Sequence, residues 1–436
     1  MSSLEEALST LLGASVTDLR RVSAGASRET WTFEADGRAL VLRRDPPEVP
    51  RPVEMRREAE CFRACAAAGV PIPTLVAVGD GSDAVGSPYL IMERLDGETL
   101  PGRLLRDERW ADVRARLPRQ FGRVLARIHA LDPADVPSLE RIDDPVDSLR
   151  AQHDAFDEPR PALEAAFRWL SAHPPSGTGS AVVHGDFRNG NLLIDDDGLA
   201  AVLDWELAHL GDPREDLGWL CARAWRFGAV EEVGGFGPRE ELFAGYAEVA
   251  GARPDADDVR WWEVYACVHW AVICRIQAER HLGGSERSME MAVLGRRAVE
   301  AEYDALLVLG LVGTELPEVA AAPSSGERPT VDDLLDAIAG AVVDELAPAD
   351  DRSRYLARVA RNGLQIVRRE LTLGPELTRR HAECLARAGC ADDVELAARL
   401  RDGSLDPDDE PVAAAVRSAT LSRLALSNPR YVPGGR

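Results

Sequence analysis

The sequence predicts an α+β protein of two lobes followed by a small all-α C-terminal domain. Three observations carry that expectation. Short strand patterns fill the first hundred residues around one helix, and helical periodicity takes over from about Arg103. A Pro/Ser/Ala-rich stretch then sets off a last helical block.

The strands begin with Val16–Val22, which leads into Ser23-Ala24-Gly25-Ala26-Ser27. Glu29–Phe33 and Ala39–Arg43 form a hairpin, with its turn at Asp36-Gly37. Val53–Ala68 carries apolar residues at helical spacing and stops at Gly69, ahead of Pro71 and Pro73. Leu75–Gly79 and Tyr89–Glu93 are short apolar strands. Helices follow at Leu117–Ala130 and Asp144–His173, ended by Pro174–Gly179. Three compact strands, Ala181–His184, Leu192–Ile194 and Ala200–Leu203, interrupt the helical region. It resumes through Asp216–Trp225, Pro238–Ala250, Asp255–Arg280 and Ser285–Leu309. The expected division is a β-rich lobe over 1–97, a mostly helical lobe over 98–315, a linker over 316–329 and a separate small helical domain over 330–436. Within the last, Gly374-Pro375 and Asp406–Pro411 are expected breaks.

Composition narrows the function. The 436 residues suit two or three domains, and 45% apolar residues is ordinary for a globular protein. Apolar runs such as Leu199–Leu203 and Ala305–Leu309 are far too short to span a membrane. The segment MSSLEEALSTLL carries acids where a secretory signal carries bases, so a cytoplasmic location is expected. A formal net charge of −23 argues against a nucleic-acid partner. Seven scattered cysteines without a CxxC pair are expected to be buried free thiols. All 51 basic residues are arginine. A Schiff-base lysine and a GKS/GKT phosphate loop are therefore excluded. Any phosphate clamp must be built from arginine, backbone N–H groups or metal.

The chemistry concentrates in Val182–Leu220, VVHGDFRNGNLLIDDDGLAAVLDWELAHLGDPREDLGWL. Phosphoryl transfer needs one carboxylate to orient the attacking hydroxyl and accept its proton, and hard oxygen ligands to hold magnesium. Asp186 follows an apolar strand in His184-Gly185-Asp186, Asn191 lies five residues on, and Asp204 ends the strand after the next turn. Strands running out and back through Asp195-Asp196-Asp197-Gly198 return the Asn191 and Asp204 ends to one side.

This HGDxxxxN…DW pattern resembles the catalytic signature of the aminoglycoside-phosphotransferase and choline-kinase branch of the protein-kinase-like fold. The continuation DWELAHLGDPREDLGWL is most similar to the subgroup that accompanies acyl-CoA dehydrogenases. The resemblance implies a two-lobe kinase-like fold, with Asp186 as catalytic base and Asn191 and Asp204 as magnesium ligands. It makes His184 a structural residue. It implies ATP or GTP with Mg2+ as cofactors and a small-molecule hydroxyl as acceptor. Asp212 and Asp216 are expected to cap the following helix, while Glu206 is left between substrate, metal and a plain surface role.

The nucleotide is then expected in the first lobe. Gly25 and Ser27 sit in a turn whose backbone N–H groups suit phosphate. Arg43 takes the strand position where protein kinases use lysine, Arg44 takes the opposite face, and Glu58 is favoured over Glu60 as the partner of Arg43. Backbone groups around Glu93 and Arg94 would meet the base of the nucleotide. Trp261, Trp262, Tyr265, His269 and Trp270 read either as core or as part of an acceptor pocket. The acceptor is expected to be a hydroxyacyl thioester or related alcohol. The alternatives are an antibiotic or sugar and, in another class, a non-catalytic nucleotide-binding scaffold. Protein contacts are the expectation for 330–436.

Overall fold

The computed structural model describes residues 2–22, 28–177, 179–320, 330–344 and 350–432. The chain divides into two compact units. One comprises 1–143 and 176–262, the other 144–175 and 263–436.

The first unit opens with helix α1 (Ser2–Leu12), which the sequence reading does not anticipate. Leu4, Ala7 and Leu8 form its buried stripe. Five antiparallel strands follow: β1 (Val16–Val22), β2 (Glu29–Ala35), β3 (Arg38–Arg44), β4 (Leu75–Asp80) and β5 (Pro88–Glu93), in the order β1-β2-β3-β5-β4. The alternation of β3 assigns its faces. Leu40 and Leu42 join the core made with α1, while Val41 packs on the opposite side against the core of helix α2 (Pro52–Ala67). Arg43 follows Val41 and Arg44 follows Leu42. Arg44 accordingly bonds Glu29 at 2.7 Å and lies over Trp31, away from Arg43.

The core under α2 does not stop at residue 97. Met55, Phe62, Leu90 and Met92 are continuous with Phe121, Phe187, Trp205 and Leu220. Helix α3 (Leu117–His129) supplies Phe121 and crosses α5 (Arg239–Ala250). They approach backbone to backbone, because a Cβ at Gly122 would collide with Leu242 and one at Gly245 with Arg119. Strands β6 (Ala181–Val183) and β9 (His209–Gly211) pair, as do β7 (Leu192–Asp195) and β8 (Gly198–Val202). Strand β9 is an addition to the expected set. Helix α4 (Arg214–Cys221) follows it.

The second unit is helical. The expected helix Asp144–His173 is two, Pro145–Asp154 and Pro161–Ala172, parted around Pro159. The expected helix Ser285–Leu309 likewise divides into Met289–Gly295 and Ala298–Leu309. The Gly374-Pro375 break does not occur: one helix runs Asp351–Arg387 with Pro375 inside it. Pro375 and Leu371, whose carbonyl loses its helical donor, are both exposed, which lowers the cost of a proline there.

Residues 330–432 are not packed apart from the helices before them. Leu385, Leu396, Val416 and Leu424 share one core with Ala162, Val299, Tyr303 and Leu306. Composition marks a break in chain character, but the apolar faces on both sides of it bury each other. Of the expected linker 316–329, residues 321–329 lie outside the described residues. All seven cysteines are free, and only Cys384 is not fully buried. Among the described residues, no helix is long and apolar enough to cross a membrane.

Candidate active site

The site is built on a buried carboxylate. Asp216 lies inside α4 with no exposed surface, where the sequence suggested a cap. It accepts bonds from the backbone N–H groups of His184 (2.8 Å) and Gly185 (2.9 Å), and from His129 Nε2 (3.0 Å). Tyr246 on α5 stands 3.0 Å from His129 Nδ1, so the close crossing of α3 and α5 reaches the loop through these two side chains. Burial works against the Asp216 charge, yet these donors hold its carboxyl below the usual range. Asp212 does act at the helix start, accepting from Arg214 N–H at 2.9 Å.

His184 ties the loop to the strands. Its Nδ1 accepts the Asp186 N–H at 3.1 Å, which leaves Nε2–H to donate to the Leu203 carbonyl at 3.1 Å. Both nitrogens are committed to backbone, the ring packs on Trp205, and complete burial lowers its pKa. His184 is thus a neutral brace. The Leu203 N–H donates to the Asn191 carbonyl at 2.8 Å, which draws together the three segments that carry Asp186, Asn191 and Asp204. Phe187, fully buried against Phe121, anchors the loop in the core.

Asp186 is held at three points. Its Oδ1 accepts from Arg188 Nε at 2.7 Å and Trp219 Nε1 at 3.0 Å, while Oδ2 accepts from Asn191 Nδ2 at 2.6 Å. Oδ1 is saturated, and Oδ2 keeps one lone pair for a further donor. Burial raises the Asp186 pKa, with Arg188 opposing it. A carboxylate fixed in orientation and raised in basicity is suited to accept a proton.

Asn191 spends its amide N–H groups on Asp186, and its amide oxygen makes no bond among the described residues. Asp204 occupies the left-handed region at φ 65°, with its side chain a third exposed. Burial works against its charge, but Arg43 holds its carboxyl below the usual range. An amide oxygen and an ionised carboxylate, brought together by the Leu203–Asn191 bond, are the hard donors that magnesium takes.

Arg43 reaches this carboxylate across 161 residues of sequence, with Nη2 on Asp204 Oδ1 at 2.8 Å and Nη1 on Glu58 Oε2 at 3.3 Å. Glu58 is fully buried, and its other oxygen pairs with Arg28. Arg28 is itself buried and bonds Asp45 Oδ1 at 3.1 Å. Burial lowers the Arg28 pKa, with Arg43 adding to that effect. Glu60 turns elsewhere, to Ser138.

Gly25 and Ser27 lie outside the described residues. Glu93 and Arg94 stand at the end of β5, but their N–H groups are already bonded to Thr74 and Ala39 carbonyls at 2.9 Å. A base lying there is left the carbonyls and the backbone of Leu95, whose N–H takes no bond among the described residues. Trp261 and Trp262 are buried and pack edge to face. Tyr265 is buried as well, while His269 and Trp270 are half-buried.

Sequence reasoning missed Arg28, Arg188 and Trp219. Arg188 carried a local signal, since it stands two residues after Asp186. Arg28 and Trp219 carried none, because their partners are distant in the chain.

The family model described as "Phosphotransferase enzyme family" matches residues 18–261, and one described as "Domain of unknown function (DUF6285)" matches 326–431. Acyl-CoA dehydrogenase family member 10 of Mus musculus is 30% identical over 315 residues, covering 65% of this chain and 29% of that protein. The chain therefore matches less than a third of that relative. Hygromycin-B 4-O-kinase of Escherichia coli is 24% identical over 237 residues, covering 47% of this chain and 61% of that one. The solved structure of a putative aminoglycoside phosphotransferase from Ralstonia eutropha shares the fold at 22% identity. Its TM-score is 0.58, with 70% of this chain and 98% of that one covered.

Proposed function

Since the chain belongs to the phosphotransferase enzyme family, we propose that it transfers the γ-phosphoryl group of ATP to a hydroxyl of a small molecule. The observation that carries this reading is Asp186, immobilised through Oδ1 and open through one lone pair of Oδ2, beside Asn191 and Asp204. The acceptor hydroxyl bonds to Oδ2, which orients it and takes its proton as the oxygen attacks. Asn191 and Asp204 would hold magnesium, which neutralises the nucleotide phosphates. Arg43 would bind the α- and β-phosphates with the arm now on Asp204, while Glu58 keeps the other arm in place. Arg28 stays paired with the buried Glu58 when that arm turns. The base of the nucleotide, adenine or guanine, would lie against the end of β5.

We further propose that the acceptor is a hydroxyacyl thioester or a related carbon-chain alcohol. The support is the similarity to an acyl-CoA dehydrogenase family member. The similarity to a hygromycin kinase keeps antibiotics as the second class. The test is nucleotide consumption by the full chain against hydroxyacyl-CoAs, amino alcohols, sugars and aminoglycosides, with ATP and GTP in parallel. Turnover with hydroxyacyl-CoAs supports the assignment, and turnover only with aminoglycosides overturns the acceptor class. Nucleotide binding without consumption against any acceptor would favour the non-catalytic nucleotide-binding scaffold, and absence of magnesium-dependent nucleotide binding would sink both readings.

A further inference from the structure

Arg188 enters the scheme above only as a brace for Asp186, yet its guanidinium is the cation bonded directly to the candidate base. It is held three ways. Nε donates to Asp186 Oδ1 at 2.7 Å, Nη1 donates to the Asn189 carbonyl at 2.9 Å, and the group lies 4.5 Å from the centre of the Trp225 ring. Asn189 is buried in turn, and its amide donates to the carbonyls of Trp225 and Gly234, which fixes loop and aromatic platform together. The third nitrogen, Nη2, has no acceptor among the described residues, and a quarter of the side chain remains exposed. A guanidinium needed only as a brace for Asp186 would not require a rigid planar seat with one arm left over.

We propose that Arg188 is a catalytic residue whose Nη2 binds the phosphoryl group in flight, so that two arginines divide the nucleotide charge between them. This rests on the phosphotransfer reading. The acceptor oxygen forms its bond to the γ-phosphorus, and its proton passes to Asp186 Oδ2. The bond from that phosphorus to the β,γ-bridging oxygen breaks, with its electron pair leaving on the diphosphate. Negative charge on the transferring group is then nearest the base, where repulsion by the Asp186 carboxylate is worst. Arg188 stands at that point and offsets both charges, while Arg43 serves the leaving diphosphate. The preorganised seat removes the cost of arranging the cation during the reaction.

The test needs no acceptor. The full chain is titrated by calorimetry with MgADP alone, then with MgADP plus fluoroaluminate, a planar mimic of the transferring phosphoryl. Wild type should bind the second combination at least about a hundredfold more tightly than the first. Arg188→Gln should keep its MgADP affinity within about threefold and lose most of that gain, and Arg188→Lys should recover part of it. A glutamine variant with the full gain would show that Arg188 merely positions Asp186 and would overturn the proposal. So would a lysine variant no better than the glutamine one, or a glutamine variant that loses MgADP affinity to the same extent. Wild type that fails to bind MgADP would instead remove the phosphotransfer reading beneath it.

Discussion

Glu58 and Glu164 are both buried carboxylates set between two arginines, one in each unit, and the two settings diverge from there. Glu164 accepts from Arg150 at 2.9 Å and from Arg401 at 2.6 and 3.2 Å, and lies 3.3 Å from His153. Burial opposes its charge, yet His153 and the arginines hold its pKa at about 2. Although His153, Asp154 and Glu164 bring three ligand atoms within 4.8 Å of one another, guanidinium groups already occupy the carboxylate. Glu58 is paired as fully, but its partner Arg43 goes on to Asp204, which is a third exposed. From there the bonded network leads through Asn191 to Asp186, which has a lone pair to spare. Closed clusters hold helices together. Clusters left open at one end can act on something else.

If that distinction holds, the largest effect should come from the open end. Asp186→Asn should lower phosphoryl transfer by about 10²–10⁴-fold while calorimetric MgATP affinity stays within about threefold. Near-normal turnover would place the chemistry elsewhere. Next comes the closed cluster, where Glu164→Ala takes a buried carboxylate away from Arg150, Arg401 and the buried His153. Because both arginines reach water, it should cost about 2–3 kcal/mol, read as a fall in denaturant midpoint, with nucleotide affinity at 25 °C unchanged. Unchanged stability would mean the cluster does not brace the second unit.

A smaller loss is expected at the junction between closed and open ends. Arg43→Ala should weaken nucleotide binding by about 1.5–3 kcal/mol, roughly ten- to a hundredfold. Arg43→Lys should recover part of this, and Arg44→Ala on the other sheet face should be silent. Reversal of the alanine results would refute the face assignment. A last effect, read in stability against pH rather than in binding, belongs to His209, which is paired with the buried Glu215 at 3.1 Å. Burial lowers its pKa, but Glu215 outweighs this and raises it to about 9. The folded pKa exceeds the unfolded value of about 6.5. The stabilisation is therefore complete below that pH and lost as pH rises through about 9. A decline in Tm over that range, flattened in His209→Gln, is the expected readout.

The loop proposed as catalytic stood out because phosphoryl transfer demands fixed residue types at fixed short spacings, as in His184, Asp186 and Asn191. The β3 alternation likewise showed that Arg43 and Arg44 part company. Sequence could not show that Asp216 turns back to the loop rather than capping α4, since both roles want a carboxylate in the first turn of a helix. Nor could it give the Arg28–Glu58 pair, whose members are linked only through the folded sheet. The core that runs across residue 330 was out of reach for a related reason. Composition reports where a chain changes character, whereas the core shared by Tyr303 and Val416 depends on faces meeting in space.

Arginine at position 43 also decides which reagents can see this protein. Acyl-phosphate derivatives of ATP tag nucleotide sites by delivering an acyl group to a nearby amine. Here they find no side-chain amine anywhere in the chain. A proteome-wide survey built on that labelling would score the site as empty even when nucleotide occupies it. Dicarbonyl reagents that condense with guanidinium groups have the complementary reach, and protection of Arg43 by MgATP would be their signature. Acetylation, a common means of silencing a phosphate-binding side chain, has no lysine here to act upon.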